Sequence, residues 1–169
     1  MIKNSREALQ FSNVCGKWSS NMKTQPGFDP AKTIGMALHK SSYLFKTALK
    51  AAFIENGFDA TPEEFISLVF ISSDGIDQGD LIRQLQKDKT NVTRLLSRME
   101  KKQWITRDIH PESGRQQRIV ITSLGLNTRQ KLLPLVQQVA KRALEGIDSK
   151  DVDTAQRTLE KMGANLSSG

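Results

Sequence analysis

The spacing of apolar residues divides most of the chain into short amphipathic helices. Between residues 31 and 56, apolar side chains recur every three or four positions, which predicts a helix that ends at Gly57. A second helix is predicted over residues 61–71, because Thr61 has the side chain of an N-cap and proline follows it at the first helical position. Residues 78–85 form a third, shorter helix by the same criterion.

The pattern changes to a strand-like one after the fourth helix. Residues 104–122 read WITRDIHPESGRQQRIVIT, in which PESG is a turn signal between two strand-like runs. Two further helices are predicted after this hairpin, one over about residues 123–146 with a kink at Pro134, and one from about Ser149 onwards. The resulting order, four helices, a β-hairpin and two helices, predicts a mainly α fold with a small β-hairpin wing, a winged helix-turn-helix.

The fourth helix combines high positive charge with a regular apolar pattern. The segment KDKTNVTRLLSRMEKKQWITRD, residues 87–108, holds seven Lys and Arg against three acids, and Asp88 is a suitable N-cap. On a helical wheel, the core-facing stripe is formed by Val92, Leu95, Leu96 and Met99. The opposite side, within an arc of roughly 80°, carries Asn91, Arg94, Arg98 and Lys101. One face therefore anchors this helix, and the other projects hydrogen-bond donors.

This exposed face has the side chains that bind DNA bases and phosphates. The candidate DNA-binding residues are Lys89, Thr90, Asn91, Thr93, Arg94 and Arg98 in the helix and Arg115 at the tip of the hairpin. Arginine pairs with guanine, asparagine with adenine, and threonine offers a hydroxyl and a methyl group. An ordinary solvated helix would have a similar charged face. The preceding short helix and the following hairpin favour DNA, because they are the neighbours that a groove-reading helix has in a winged helix-turn-helix.

Charge and composition support an anionic partner and narrow the compartment. The net charge is +7, and between Arg83 and Arg118 ten basic residues stand against four acidic ones, so this window holds nearly all of the excess. No apolar run approaches the roughly 18 residues that span a bilayer, and the first residues lack the apolar core of a secretion signal. Cys15 is the only cysteine, which excludes an internal disulfide and favours the reducing cytoplasm.

Residues 80–125 resemble the helix-turn-helix and wing of the MarR family of bacterial transcriptional regulators. The resemblance rests on the stretches DKTNVTRL, RMEKK, PESGR and IVITSLG, and it extends more weakly over about residues 38–159. It implies a cytoplasmic, nucleoid-associated homodimer that represses or activates transcription. It also implies binding to a pseudo-palindromic operator through a recognition helix, residues 88–102, and a wing, residues 106–121.

The same resemblance implies a domain organisation and a class of effector. The expected regions are a helical dimerisation region, residues 31–57 and 123–166, and a winged helix-turn-helix, residues 58–122. Residues 1–30 are interpreted as an N-terminal arm or extension from their polar composition, because the resemblance says nothing about them. Many members respond to lipophilic or phenolic compounds, so a small-molecule effector is implied, although no residue here identifies it. No cofactor is expected.

Three positions depart from the family pattern. Ser113 stands where an aspartate often braces the wing arginine, so Arg115 is expected to be held less rigidly. Gln103 replaces a usual glycine, which predicts a different closure of the recognition helix. Lys87 replaces a usually apolar residue and adds charge near the DNA side.

Other classes of function are less well supported. An architectural protein that coats duplex through its phosphates would use the same charges, and it remains the alternative to sequence-specific regulation. An enzyme is not expected, because His39 and His110 are isolated and no metal-ligand, phosphate-loop or nucleophile motif is present. Cys15 invites a peroxide-sensing hypothesis, but its position in the unmatched arm favours an incidental thiol.

Overall fold

The computed structural model describes residues 29–109 and 117–167, and the chain divides between Leu44 and Phe45 into two compact units. The predictions for the N-terminal arm, including Cys15, and for the wing turn, including His110, Ser113 and Arg115, concern residues outside the described ranges. In the first unit a single 3-10 turn, Pro30–Lys32, precedes the first α-helix. The Thr33 hydroxyl accepts a hydrogen bond from the backbone N–H of Met36 at 3.2 Å and so caps the start of that helix.

The described residues form six α-helices and three short strands in the order that the apolar pattern predicts, with one addition. The helices are α1 (Ile34–Glu55), α2 (Pro62–Phe70), α3 (Gln78–Leu85), α4 (Lys89–Lys101), α5 (Ser123–Ala143) and α6 (Ser149–Ser167). The strands are β1 (Ile76–Asp77), β2 (Ile105–Ile109) and β3 (Gln117–Ile121). Strand β1 was not predicted, because two residues are too few to show a period-two pattern.

The three strands form one antiparallel sheet in the order β1-β3-β2. Strand β3 is central, and its Ile119 is the register partner of Ile76 in β1 and of Arg107 in β2. Ile119 and Ile121 are buried while the residue between them is half-buried, which is the alternation expected of a sheet with one face on the core. The predicted hairpin is thereby confirmed and is tied to the segment before α3.

Side-chain caps fix where three helices of the second unit, α2, α4 and α5, begin. Thr61 and Glu64 form a reciprocal capping box, with the Thr61 hydroxyl accepting from Glu64 N–H at 3.2 Å and the Glu64 carboxylate accepting from Thr61 N–H at 2.9 Å. Asp88 caps α4, and the Thr122 hydroxyl caps α5. Thr61 and Asp88 are the N-caps that the sequence predicted for α2 and α4.

One core connects α2 to α5 and the sheet in the second unit. Its fully buried apolar side chains are Phe53, Leu68, Ile71, Leu81, Val92, Leu96, Met99, Ile105, Ile119 and Leu132. The four apolar residues predicted to face the core from α4 are all buried there. The rings of Phe53 and Phe65 are tilted by 53° with centroids 6.1 Å apart, which joins α1 to α2 by an aromatic contact. By contrast, α6 has no buried residue.

Gly125 seats the first turn of α5 on the base of the wing. A Cβ at this position would lie 2.1 Å from the carbonyl oxygen of Trp104, so no other residue fits here without moving the backbone. The same carbonyl accepts a hydrogen bond from Thr122 N–H at 3.0 Å. The end of the hairpin and the start of α5 are therefore fixed to each other.

One predicted boundary of the later helices is refined. Helix α5 ends at Ala143 rather than at Gly146, because its last turn tightens, with the N–H of Leu144 also bonding to the Lys141 carbonyl and that of Glu145 to the Arg142 carbonyl. The chain then turns through Gly146, whose φ is 77°. Pro134 lies inside α5 and removes one backbone donor. The kink expected there stays a prediction.

Candidate nucleic-acid interface

The turn between α3 and α4 is tight, and two residues explain how it closes. Gln86 ends α3 in the left-handed conformation, with φ 50°, and only Lys87 separates it from Asp88, the N-cap of α4. A left-handed residue redirects the chain at once, and the N-cap starts the next helix without further linker. The result is the helix-turn-helix geometry in which the second helix is presented at the surface.

The outward face of α4 is a strip of unpaired polar side chains. Lys89, Thr90, Arg94 and Lys101 are exposed, and within the described residues their side chains make no hydrogen bond, ion pair or ring contact. Because Lys89, Arg94 and Lys101 have no counter-charge among the described residues, they attract anions at short range. We call the four residues the reading strip. Lys101 belongs to it although it was not among the candidate residues from the sequence.

Asn91 is exposed beside the reading strip and is tied to the N-cap. The Asp88 carboxylate accepts a hydrogen bond from the backbone N–H of Asn91 at 2.9 Å and another from its side-chain amide. These two bonds, the backbone one first, lower the pKa of Asp88 below its ordinary value. One amide hydrogen and the amide oxygen of Asn91 remain for a base edge, so the contact orients this side chain without using it up.

Thr93 is oriented differently from the other candidate residues. Its hydroxyl donates to the carbonyl oxygen of Lys89 at 2.8 Å and accepts from the side-chain amide of Gln78 at 3.2 Å. The side chain is half-buried, on the side of α4 that faces α3. Both roles of the hydroxyl are therefore occupied within the protein.

Arg98 lies on the opposite edge of α4, where it meets a buried carboxylate. Glu64 is fully buried, and its carboxylate lies 3.4 Å from Arg98 Nε and 3.0 Å from Lys102 Nζ. Lys102 also contacts the Asp59 carboxylate at 3.3 Å and the ring of Trp104 at 4.8 Å. We call Glu64, Arg98 and Lys102 the ionic edge. It ties the end of α4 to the first turn of α2.

The edge of α4 near the sheet is held by the wing. Arg107 of β2 donates from Nη2 to the Ser97 hydroxyl at 2.8 Å and lies 3.3 Å from the Glu100 carboxylate. Ser97 in turn donates to the carbonyl oxygen of Thr93 at 3.0 Å. With Gln78, these residues form a row of polar contacts along one side of the helix, which we call the polar ladder.

The basic window found in the sequence is therefore only partly available to a partner. Five of its ten cations contact other protein groups, namely Arg83, Arg98, Lys102, Arg107 and Arg118. Arg115 lies outside the described residues. Lys87, Lys89, Arg94 and Lys101 are exposed without a partner among the described residues, and they cluster at the turn and on α4.

The sequence alone gave no signal for the ionic edge or the polar ladder. Glu64 lies 34 positions from Arg98, and Gln78 lies 15 positions from Thr93, so these contacts depend on tertiary packing. The one local indication is the spacing of Thr93, Ser97 and Glu100, which share an edge of α4 at steps of four and three residues.

Other kinds of site are scarce in the described part of the chain. Within residues 29–109 and 117–167, no group of three or more His, Cys, Asp or Glu is placed to hold a metal ion. No helix in the described part of the chain has the length and apolar character needed to cross a bilayer. A shallow depression of about 310 Å³ lies along α6, lined by Thr154, Arg157, Thr158, Lys161, Met162 and Asn165.

Comparison with known proteins connects this geometry to a family. The model of the MarR family matches residues 70–116, which run from the end of α2 through the helix-turn-helix into the wing. The resemblance drawn from the sequence is confirmed over that segment. No curated protein sequence was found to match the chain.

Solved structures, among them one of a MarR family transcriptional regulator, share the fold. AbsC, a MarR family transcriptional regulator from Streptomyces coelicolor, has a TM-score of 0.74 at 19% identity, covering 86% of this chain and 100% of its own. MepR of S. aureus, solved in complex with DNA, has a TM-score of 0.72 at 20% identity, with 79% and 98% covered. BpsR of Bordetella bronchiseptica has a TM-score of 0.74 at 14% identity, with 80% and 96% covered. The predicted winged helix-turn-helix is confirmed.

Proposed function

We propose that this chain is a MarR-type DNA-binding transcriptional regulator that places α4 in the major groove. The observation that carries the proposal is the reading strip, in which Lys89, Arg94 and Lys101 are exposed and unpaired while the opposite face of the same helix is buried. A helix anchored in this way presents its cations to a partner at no cost in broken ion pairs. Members of the MarR family are transcriptional regulators rather than enzymes, in line with the prediction that this chain is not an enzyme.

The residues at the start of α4 have complementary roles in this proposal. Asn91 and Arg94 would read base edges, while Lys89 and Thr90 lie in the first turn, where the free backbone N–H groups also favour phosphate. Arg115 at the wing tip would enter the adjacent minor groove, as the family resemblance implies. The Thr93 hydroxyl is engaged within the protein and Arg98 contacts Glu64 through Nε, so we assign both residues to positioning the helix.

A homodimer is part of the proposal, and helix α6 supports it. Its 19 residues include none that is buried, although Val152, Ala155, Leu159 and Met162 recur at helical spacing along it. Leu166 at its end is 83% exposed, and Leu144 and Ile147 before it are also exposed. An apolar stripe without a partner is a signature of a protein–protein contact, and a two-fold axis through it would present two α4 helices to one operator.

DNA binding is tested by selecting duplexes from a random pool with the purified protein. The expected product is an inverted repeat with half-sites one helical turn, about 34–36 Å, apart. Arg94→Ala should weaken binding to it by about 1–3 kcal/mol and relax the preference at one position. Lys131→Ala is the matched control, because Lys131 is also exposed and unpaired but lies on α5. Equal affinity for every duplex would instead indicate the architectural protein.

The dimer is tested by sedimentation or light scattering of the full chain. We expect a mass twice that of the 18.9 kDa chain. Leu159→Glu should shift the mass towards that of the monomer, because it buries a charge in the apolar stripe. Asn165→Glu adds the same charge at an exposed position of α6 away from the stripe and should leave the mass unchanged. A monomeric wild type would refute this part of the proposal.

A small lipophilic or phenolic effector completes the proposal. It is supported by the likeness to BpsR, whose DNA binding is regulated by 6-hydroxynicotinic acid. The test is to measure release of the protein from its selected duplex by a panel of such compounds. A compound that acts by binding the protein should release it at a saturable concentration, and it should raise the melting temperature in the absence of DNA.

A further inference from the structure

We propose that Arg107 and Ser97 are positioning residues that couple the wing to the recognition helix, so that α4 and the sheet meet DNA as one rigid body. This inference rests on the proposed function, and it names residues whose side chains need not touch DNA. Its basis is the polar ladder, in which one guanidinium from β2 reaches two side chains on a single edge of α4.

The geometry of Arg107 is that of a structural bracket rather than of a DNA contact. Its side chain is only 14% exposed, and Nη2 lies within reach of both Ser97 Oγ and Glu100 Oε2. Its Nε is buried without a hydrogen-bond partner among the described residues. A buried donor left unsatisfied costs free energy, so the other contacts of this guanidinium must hold it in place.

Ser97 extends this set of contacts along α4. Its hydroxyl accepts from Arg107 and donates to the Thr93 carbonyl, one turn nearer the DNA-facing end of α4. The Thr93 hydroxyl continues the ladder to Gln78, which is the first residue of α3 and directly follows β1. The ladder therefore connects both outer strands of the sheet to the same edge of one helix.

The consequence concerns the wing tip, which β2 and β3 carry. Arg107 lies two residues before the last described residue of β2, and Arg115 lies eight positions further along the chain. A guanidinium at the wing tip contributes to binding only when its distance from α4 matches the spacing of the grooves. If the bracket fixes that distance, the contribution of Arg115 depends on Ser97.

The test is a double-mutant cycle on the selected duplex, with Ser97→Ala, Arg115→Ala and both together. Arg115→Ala alone should weaken binding about tenfold. In the Ser97→Ala background, the same change should weaken it by less than about threefold, because the wing is already misplaced. Ser67→Ala is the matched control, since Ser67 makes the same bond to the carbonyl four residues back, at 2.8 Å, but has no arginine partner. Its cycle with Arg115→Ala should be additive.

A second measurement decides the coupling without DNA. Amide hydrogen exchange in β2 should be about fivefold faster in Ser97→Ala, because losing a bond worth roughly 1 kcal/mol eases local opening of the hairpin. Ser67→Ala should leave exchange in β2 unchanged. Unaltered exchange in Ser97→Ala, or an additive cycle with Arg115→Ala, overturns the inference. A wild type that binds all duplexes equally overturns the proposed function, and the exchange measurement then still decides whether the bracket exists.

Discussion

The two edges of the recognition helix are held by different chemistry. The ionic edge places a fully buried carboxylate, Glu64, between two cations at the end of α4. The polar ladder holds the other edge through hydroxyl, amide and guanidinium groups of Gln78, Thr93 and Ser97 with Arg107. A buried charge that loses its partners is far more costly than a neutral donor that loses one bond. We therefore expect the ionic edge to determine mainly the stability of this unit. We expect the polar ladder to determine mainly the orientation of α4 relative to the wing.

The positions of the ionic edge and the polar ladder along α4 support this division between stability and orientation. The ionic edge acts at the C-terminal end of α4, where Arg98 and Lys102 also face the helix dipole favourably. It contacts α2, which carries no candidate DNA-binding residue. The ladder runs from the second turn of α4 to the wing, so it joins the two elements that are proposed to enter adjacent grooves. Damage to the first edge should unfold the unit, while damage to the second should leave it folded and misaligned.

The largest expected effect is that of Glu64→Ala. This change removes the N-cap partner of Thr61 and leaves Arg98 and Lys102 without their shared carboxylate. We expect a loss of about 2–3 kcal/mol in the free energy of unfolding, because the capping bond and the buried hydrogen bonds are lost while the remaining cations reach solvent or Asp59. Urea denaturation followed by circular dichroism measures it.

Two further variants separate charge from capping at this edge. Glu64→Gln keeps an acceptor for Thr61 and should therefore be less destabilising than Glu64→Ala. Glu63→Gln is the matched control, because its only ion pair among the described residues is with the exposed Lys46 at 3.7 Å, and such pairs contribute about 0–1 kcal/mol. If Glu64→Ala unfolded no more easily than Glu63→Gln, the ionic edge would have no role in stability.

A smaller effect is expected on the ladder edge from Thr93→Val. The substitution keeps the β-branched shape and removes the hydroxyl that links Gln78 to α4, so about 1 kcal/mol should be lost from the free energy of unfolding. Thr90→Val is the control, because Thr90 is exposed in the reading strip without a partner among the described residues. Its stability should stay within about 0.5 kcal/mol of wild type. Equal losses in the two variants would show that the ladder contributes nothing.

The helices and the hairpin could be predicted because their signals lie within short stretches of the sequence, whereas the two-residue strand β1 has no such signal. The helix boundaries follow from caps such as Thr61 and Asp88, and the buried face of α4 follows from the spacing of Val92, Leu95, Leu96 and Met99. The closure of α4 shows how a local departure can be absorbed. Gln103 adopts the left-handed conformation, with φ 58°, and Trp104 N–H bonds back to Met99, so a glutamine completes the motif in which glycine is usual. Whether this closure differs from that of the family stays a prediction.

The candidate site could be predicted only in part. Lys89, Asn91 and Arg94 are exposed as the helical wheel requires, since the direction of a side chain follows from its position along the helix. Thr93 and Arg98 are residue types that can bind DNA, yet their side chains contact residues of other elements. Periodicity gives the direction of a side chain and not the partner that it meets. Binding residues and positioning residues therefore look alike in the sequence.

The smallest expected effect is that of pH on Asp88, the N-cap of α4. The backbone and side-chain N–H groups of Asn91 lower the pKa of Asp88 from its ordinary value of 3.8, so the folded chain favours the charged carboxylate. The stability that this contributes is present above pH 3.8 and is lost as the pH falls through the lower folded value. Asp88→Asn keeps a capping oxygen that does not titrate. The melting temperature of wild type should therefore fall relative to that of Asp88→Asn between about pH 5 and pH 2. A difference in melting temperature that stayed constant over this range would mean that folding does not lower the pKa of Asp88, and that the N–H groups of Asn91 do not favour its charged form.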